Sequence, residues 1–137
     1  MSLKEDNRRD VVLYRIERAF TALAQAKLNQ EINCLEVTVN RLYYAAYYAV
    51  SALLVAHQIP AHTHEGNIQQ FGLHFVREGK VSRDMGKFYS QLFEMRLKGD
   101  YSDSFGLTEE DVVPKIQPTE AFIKEVTSMA KEKLGLQ

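Results

Sequence analysis

Apolar residues recur along this chain at the spacing of helices, and the pattern divides it into successive amphipathic segments. Between residues 10 and 28, Val12, Ile16, Ala19, Leu23 and Ala26 share one stripe, with Leu13 and Phe20 beside it. Arg9, Arg15, Glu17 and Arg18 fall elsewhere, so the spacing predicts a first amphipathic helix. From Asn33 to His57 the chain reads NCLEVTVNRLYYAAYYAVSALLVAH. Here Leu42, Ala46, Ala49, Val50 and Leu53 make one stripe, and Tyr43, Tyr47, Val50 and Leu54 make a second beside it. A helix with almost no polar face must be covered nearly all round. The stretch is therefore predicted to be the central helix of a bundle or the shared helix of an oligomer. Asn33 followed by Glu36 has the spacing of a capping box, which predicts a short link near Asn29 to Ile32 and antiparallel first and second helices.

Pro60 predicts the end of the central helix, and residues 59–66 read as a loop carrying His62 and His64. Ile68, Phe71, Gly72, Phe75 and Val76 predict a third helix ending near Gly79. Ser82 is the expected N-cap of a fourth, with Met85, Phe88, Tyr89, Leu92 and Met95 on its core side and Gly99 closing it. Residues 100–107 are polar and without period, so they read as a loop or turn. Thr108 with Asp111 can start the last segment, where Pro114 and Pro118 imply a kink or a separate first turn. Ala121, Phe122, Val126, Met129 and Leu134 line its apolar side. The expected fold is all-α, an antiparallel up-and-down bundle of four to five helices forming a single domain over residues 1–137.

Composition narrows the function. A net charge of −1 excludes a generally basic surface and leaves only a local patch for contact with nucleic acid. Cys34 is the only cysteine, so no intrachain disulfide is expected and a reducing compartment is the simpler reading. The first ten residues are charged and lack the apolar core of a secretory signal, and the longest apolar run is shorter than the ~20 residues that span a bilayer. The expectation is a cytoplasmic protein without membrane contact.

Four segments, in order, carry a family resemblance: Asn40-Arg41-Leu42-Tyr43-Tyr44-Ala45, Thr63-His64-Glu65-Gly66, Phe75-Val76-Arg77-Glu78-Gly79 and Arg96-Leu97-Lys98-Gly99-Asp100-Tyr101. Together they resemble the HEPN superfamily, most closely its small stand-alone members, over residues 10 to 134. The resemblance implies a homodimeric helical bundle acting with a minimal nucleotidyltransferase as partner protein. It also implies contact with RNA or nucleotide and no cofactor. Several branches of the superfamily are metal-independent ribonucleases, including toxins of toxin–antitoxin pairs. Their motif is an arginine followed four to six residues later by a histidine. Arg96 matches the arginine, but Leu97 to Asp103 contain no histidine. This departure favours a binding and interaction module, with a ribonuclease of non-standard active site as the alternative.

The candidate residues have two readings each. Arg96, Asp100 and Tyr101 are the catalytic candidates if the chain is an enzyme: Arg96 to grip a phosphate, Asp100 as base, Tyr101 to donate a hydrogen bond to the phosphate. Their structural reading is an Arg–Asp pair that fixes a helix end, with Tyr101 packed on the bundle. Arg41, Tyr44, Tyr48 and His64 are the binding candidates. Tyrosines at this density can stack on bases, or can serve as core and dimer interface with their hydroxyls at the rim. Arg41 on so apolar a helix needs a partner, with Glu36, Asp100 or another acid of the bundle as candidates. His62 and His64 are too few to predict a metal site, and His64 is expected at a loop or helix start. Six cations against three acids between Gly72 and Gly99, followed by five acids and no base from Asp100 to Asp111, complete the charge pattern. It reads as a patch for RNA or an acidic partner, or as two faces that neutralise one another.

Overall fold

The computed structural model describes residues 2–101 and 106–136, with side chains for 5–99 and 106–136. Helix α1 runs Ser2–Glu31 and α2 runs Leu35–Ala56. Helix α3, His64–Phe71, continues into a π turn over Gly72–Val76. Helix α4 spans Arg83–Tyr101, α5 is a single turn over Glu109–Val112, and α6 runs Ile116–Lys133 after a 3₁₀ turn at Val113–Lys115. Among the described residues there is no strand, and the fold is the expected all-α bundle.

Helix α2 is the axis. It packs on α1, α3, α4, α5 and α6, and Leu42, Tyr43, Ala45, Ala46, Ala49, Val50, Ala52 and Leu53 are all fully buried. Its alanines, with the buried Ala19, Ala22 and Ala26 of α1, leave little side-chain volume between these neighbouring backbones. The predicted stripe of α1 is also correct, since Val12, Ile16, Ala19, Leu23 and Ala26 are buried.

Four local expectations need correction. Asn33 does not cap α2. It takes a left-handed conformation (φ 61°) that ends α1, with the Cys34 amide bonded to the Asn29 carbonyl at 2.8 Å, and Cys34 occupies the cap position of α2 without a side-chain bond. Gly99 does not close α4, which continues through Tyr101, so Asp100 lies on the helix and not in a loop. A helix tolerates a late glycine when its hydrogen bonds continue beyond it. The loop after α2 is shorter than expected, because α3 already begins at His64. Ala121 is exposed, and Ile123 takes the core position of α6 instead.

The proline-rich segment follows the alternative of a separate first turn. Thr108 and Asp111 form a reciprocal capping box on α5, and Pro114 sits in the 3₁₀ turn where its missing amide hydrogen is least needed. Among the described residues no helix is long and apolar enough to cross a membrane.

Candidate functional site

Three helices bring the predicted binding residues together on the middle of α2. Tyr43 points inward and is fully buried, while Tyr44, Tyr47 and Tyr48 are half-buried. Their spacing along the helix puts neighbouring rings in contact. Tyr44 lies 5.8 Å from Tyr47 and 6.0 Å from Tyr48, and Tyr47 lies 5.7 Å from Tyr48. The result is a ladder of half-buried tyrosines along α2.

Arginines from three helices lie against this ladder. Arg96 of α4 places its guanidinium carbon 5.5 Å from the Tyr43 ring and 5.2 Å from the Tyr44 ring. Arg41 of α2 lies 5.1 Å from the same Tyr44 ring, and Arg18 of α1 lies 5.3 Å from Tyr48. Such cation–π contacts contribute roughly 0.5–1 kcal/mol each at exposed sites, and they hold a cation in place without neutralising it. Arg41 illustrates this and corrects the expectation that it pairs with an acid. Its Nε and Nη2 donate to the Asn40 Oδ1 at 3.0 and 2.8 Å, and Nη1 donates to the Gln25 Oε1 at 3.2 Å. Both acceptors are neutral amides, so the positive charge remains.

His64 reaches the ladder from α3. Thr63 caps that helix by accepting from the Gly66 amide at 2.8 Å, and a side chain at Gly66 would meet the Thr63 hydroxyl at 2.9 Å, so the Thr-His-Glu-Gly sequence fixes His64 as the first helical residue. Its imidazole sits among four rings: Tyr47 at 4.9 Å, Tyr43 at 5.6 Å, Tyr44 at 5.7 Å and Phe93 at 6.1 Å. The Tyr43 hydroxyl and the His64 Nδ1 are hydrogen-bonded at 2.7 Å. No described residue hydrogen-bonds Nε2. Behind them, Tyr43 stacks on Tyr89 at 6.0 Å, and the buried Tyr89 hydroxyl donates to the Asn67 Oδ1 at 2.5 Å.

Burial, then the positive charge of Arg96, push the His64 pKa below its ordinary value, against a smaller opposing effect of Glu65. Burial likewise raises the phenols of Tyr43 and Tyr89, so both stay protonated. His57, edge-on to Phe75 at 5.0 Å, is also pushed down, first by burial and then by Lys133, Lys80 and His74. Both histidines bind a proton more readily in the unfolded chain than in the folded one. Stability is therefore expected to be flat above about pH 6.5 and to fall as pH drops through the histidine range. Thermal melts between neutral pH and about pH 5 check this, and His57→Gln should flatten the fall. The carboxylates of Asp111 and Glu120, held low by Thr108 and by Lys27 with Lys124, add a separate loss only at more acidic pH.

Of the residues singled out from sequence, Arg41, Tyr44, Tyr48, His64 and Arg96 form one cluster. The Asp100 and Tyr101 side chains lie outside the described residues. Sequence reasoning missed Arg18 and Phe93 as site members, and it weighed Tyr47 only within the run of tyrosines. Phe93 carries a signal in hindsight, three residues before Arg96 and so on the same face of α4.

Fold and site define a class: an all-α bundle whose central helix bears a tyrosine ladder bracketed by arginines. The chain belongs to the HEPN family, since the HEPN domain profile matches residues 12–132. It is 37% identical over 122 residues to a UPF0332 protein of Thermotoga maritima, covering 89% of this chain and 92% of that one. It is 32% identical over 124 residues to a Methanocaldococcus jannaschii protein named "putative toxin", covering 90% and 92%. A second "putative toxin" of the same organism is 23% identical over 96 residues, 70% of this chain and 65% of that one.

Proposed function

We propose that this chain is a HEPN-type binding module that takes single-stranded RNA, or the nucleotide unit of it, on the tyrosine ladder of α2. The observation that carries this reading is the pair of guanidiniums, Arg41 and Arg96, within 5.2 Å of one half-buried Tyr44 ring, with Arg18 repeating the motif on Tyr48. Aromatic faces for bases and guanidiniums for phosphates are the two elements of single-strand recognition. A local patch of this kind is compatible with the acidic net charge. The toxin names of two relatives support a partner that restrains the module, and the family resemblance makes that partner a nucleotidyltransferase. Leu13, Tyr14 and Phe20, exposed on α1, support the expected homodimer.

Fluorescence anisotropy with labelled single-stranded RNA tests the binding. Three neutralised phosphates predict a slope of roughly −2 for log affinity against log salt, or roughly 20-fold weaker binding between about 50 and 200 mM. Arg41→Ala should make the slope shallower by about 0.7. Unlabelled ATP as competitor distinguishes a nucleotide site from a longer RNA track. Absence of RNA binding at low salt would remove the proposal.

A further inference from the structure

A second surface of the bundle lies apart from the tyrosine ladder. An open cleft of about 520 Å³ runs between α4 and the segment formed by α3 and the π turn, over a floor of Ile68, Phe71 and Val76. Through Ile68, Ser90 and Glu94 it continues into a second cleft of about 400 Å³ beside Glu65. Measured along α4 from Arg83 to Glu94, the groove is about 16 Å long, roughly three helical turns. No tyrosine or arginine of the ladder lines either cleft. An elongated groove with an apolar floor has the form that receives an amphipathic helix.

Two glycines border this groove, for different reasons. At Gly86 a Cβ would meet the Val76 Cγ2 at 2.9 Å, so glycine lets α4 approach the π turn closely. Gly72 has no such neighbour. Its backbone is ordinary right-handed helix (φ −60°, ψ −47°), and a Cβ there would meet nothing within 4 Å. Neither conformation nor internal packing requires glycine at this position, where it weakens the helix relative to alanine. Having no side chain, Gly72 leaves the groove open to close approach by another chain.

Charge gives the groove a direction. Arg83 and Lys87 are exposed on one rim, four residues apart, and neither makes an ion pair among the described residues. Arg83 stands in the first turn of α4, where the positive helix end disfavours a cation, and Lys87 adds like-charge repulsion. Asp84 lines the cleft between α4 and α6 instead. The opposite end is acidic, with the exposed Glu94 at the junction of the two clefts and the exposed Glu65 in the second.

We infer that this groove is the docking site for an amphipathic helix of a partner protein. The apolar stripe of that helix lies over Phe71 and Val76 beside Gly72, its acidic end on Arg83 and Lys87, its basic end on Glu94 and Glu65. Its carboxylates relieve the repulsion between Arg83 and Lys87 that the chain bears alone. The inference is independent of RNA binding by the ladder.

The test uses the whole chain and fluorescein-labelled synthetic helices of about 18 residues, roughly 27 Å long, built from alanine with one leucine stripe. One peptide carries glutamates at one end and lysines at the other, a second carries lysines at both ends, and a third is the first with a central proline. Anisotropy should show the first binding at least ~10-fold more tightly than the other two. Gly72→Leu should fill the groove and weaken that binding at least ~10-fold without lowering Tm. Arg83→Glu combined with Lys87→Glu makes both ends acidic and should transfer the preference to the second peptide. Failure of the first peptide to bind, equal binding of all three, or undiminished binding by Gly72→Leu would each overturn the inference. Sedimentation of wild type and Gly72→Leu should give the same oligomeric state. Loss of self-association in Gly72→Leu would overturn the inference by placing a second copy of this chain in the groove.

Discussion

Replacing Tyr43 with alanine is expected to destabilise the bundle by about 3–5 kcal/mol, the range for removing a large aromatic side chain from a packed core. Tyr43 is fully buried, and its ring touches those of Tyr44, Tyr47, Tyr89, Phe93 and His64 at 5.2–6.1 Å. The surrounding rings are rigid, so they cannot expand into the space its loss would leave. Tyr43→Phe separates packing from hydrogen bonding. It keeps the ring and removes the hydroxyl that holds His64, and because His64 is only half-buried, water can replace that bond at a loss of about 1 kcal/mol. Urea denaturation followed by circular dichroism measures both, with an unchanged slope showing that the same surface is exposed on unfolding. A loss below about 1 kcal/mol for the alanine variant would mean that the ring cluster does not behave as part of the core.

Phe71→Ala should cost a similar amount, again about 3–5 kcal/mol, for a different reason. Phe71 is 1% exposed and closes the contact between α3 and the rest of the bundle, with Phe75 at 6.0 Å, Tyr89 at 5.9 Å and Phe122 at 5.8 Å. Its loss should loosen α3 first, and α3 carries His64. NMR titration of the His64 ring should then show its pKa moving up toward the ordinary histidine value, as burial among the tyrosines is relaxed. Phe71→Leu should recover most of the stability, since it refills much of the volume. Unaltered stability in the alanine variant would show that α3 is docked by contacts other than this ring cluster.

The helices and their buried faces were legible because hydrophobic periodicity is local. Val12 to Ala26 on α1 and Leu42 to Leu53 on α2 lie within the window over which a stripe can be counted. Boundaries were less legible. Asn33 has both the composition of an N-cap and the tolerance for left-handed backbone that ends a helix, and the structure uses the second property. Gly99 resembles a helix stop, yet α4 passes through it. Most of the candidate site was named from the sequence, but its assembly was not. Charge pairing is the usual expectation for an arginine such as Arg41, whereas Gln25 is brought to it only by the antiparallel packing of α1 on α2. The juxtaposition of His64 and Arg96 depends on how α3 and α4 both dock on α2, which no spacing along the chain encodes.

The π turn that follows α3 has a mechanical consequence. A turn closed from Arg77 back to Gly72 holds one residue more than an α-helical turn, and in a helix one residue corresponds to about 100° of rotation about the axis. With Asn67 and Phe71 seated in the core before the turn and Phe75 and Val81 after it, that surplus residue acts as an angular offset between two anchored ends of one segment. Deleting one residue there would yield a more regular helix in which one of the two anchors must rotate out of the core. The irregularity in the backbone is thus what lets both ends of the segment face the bundle at once.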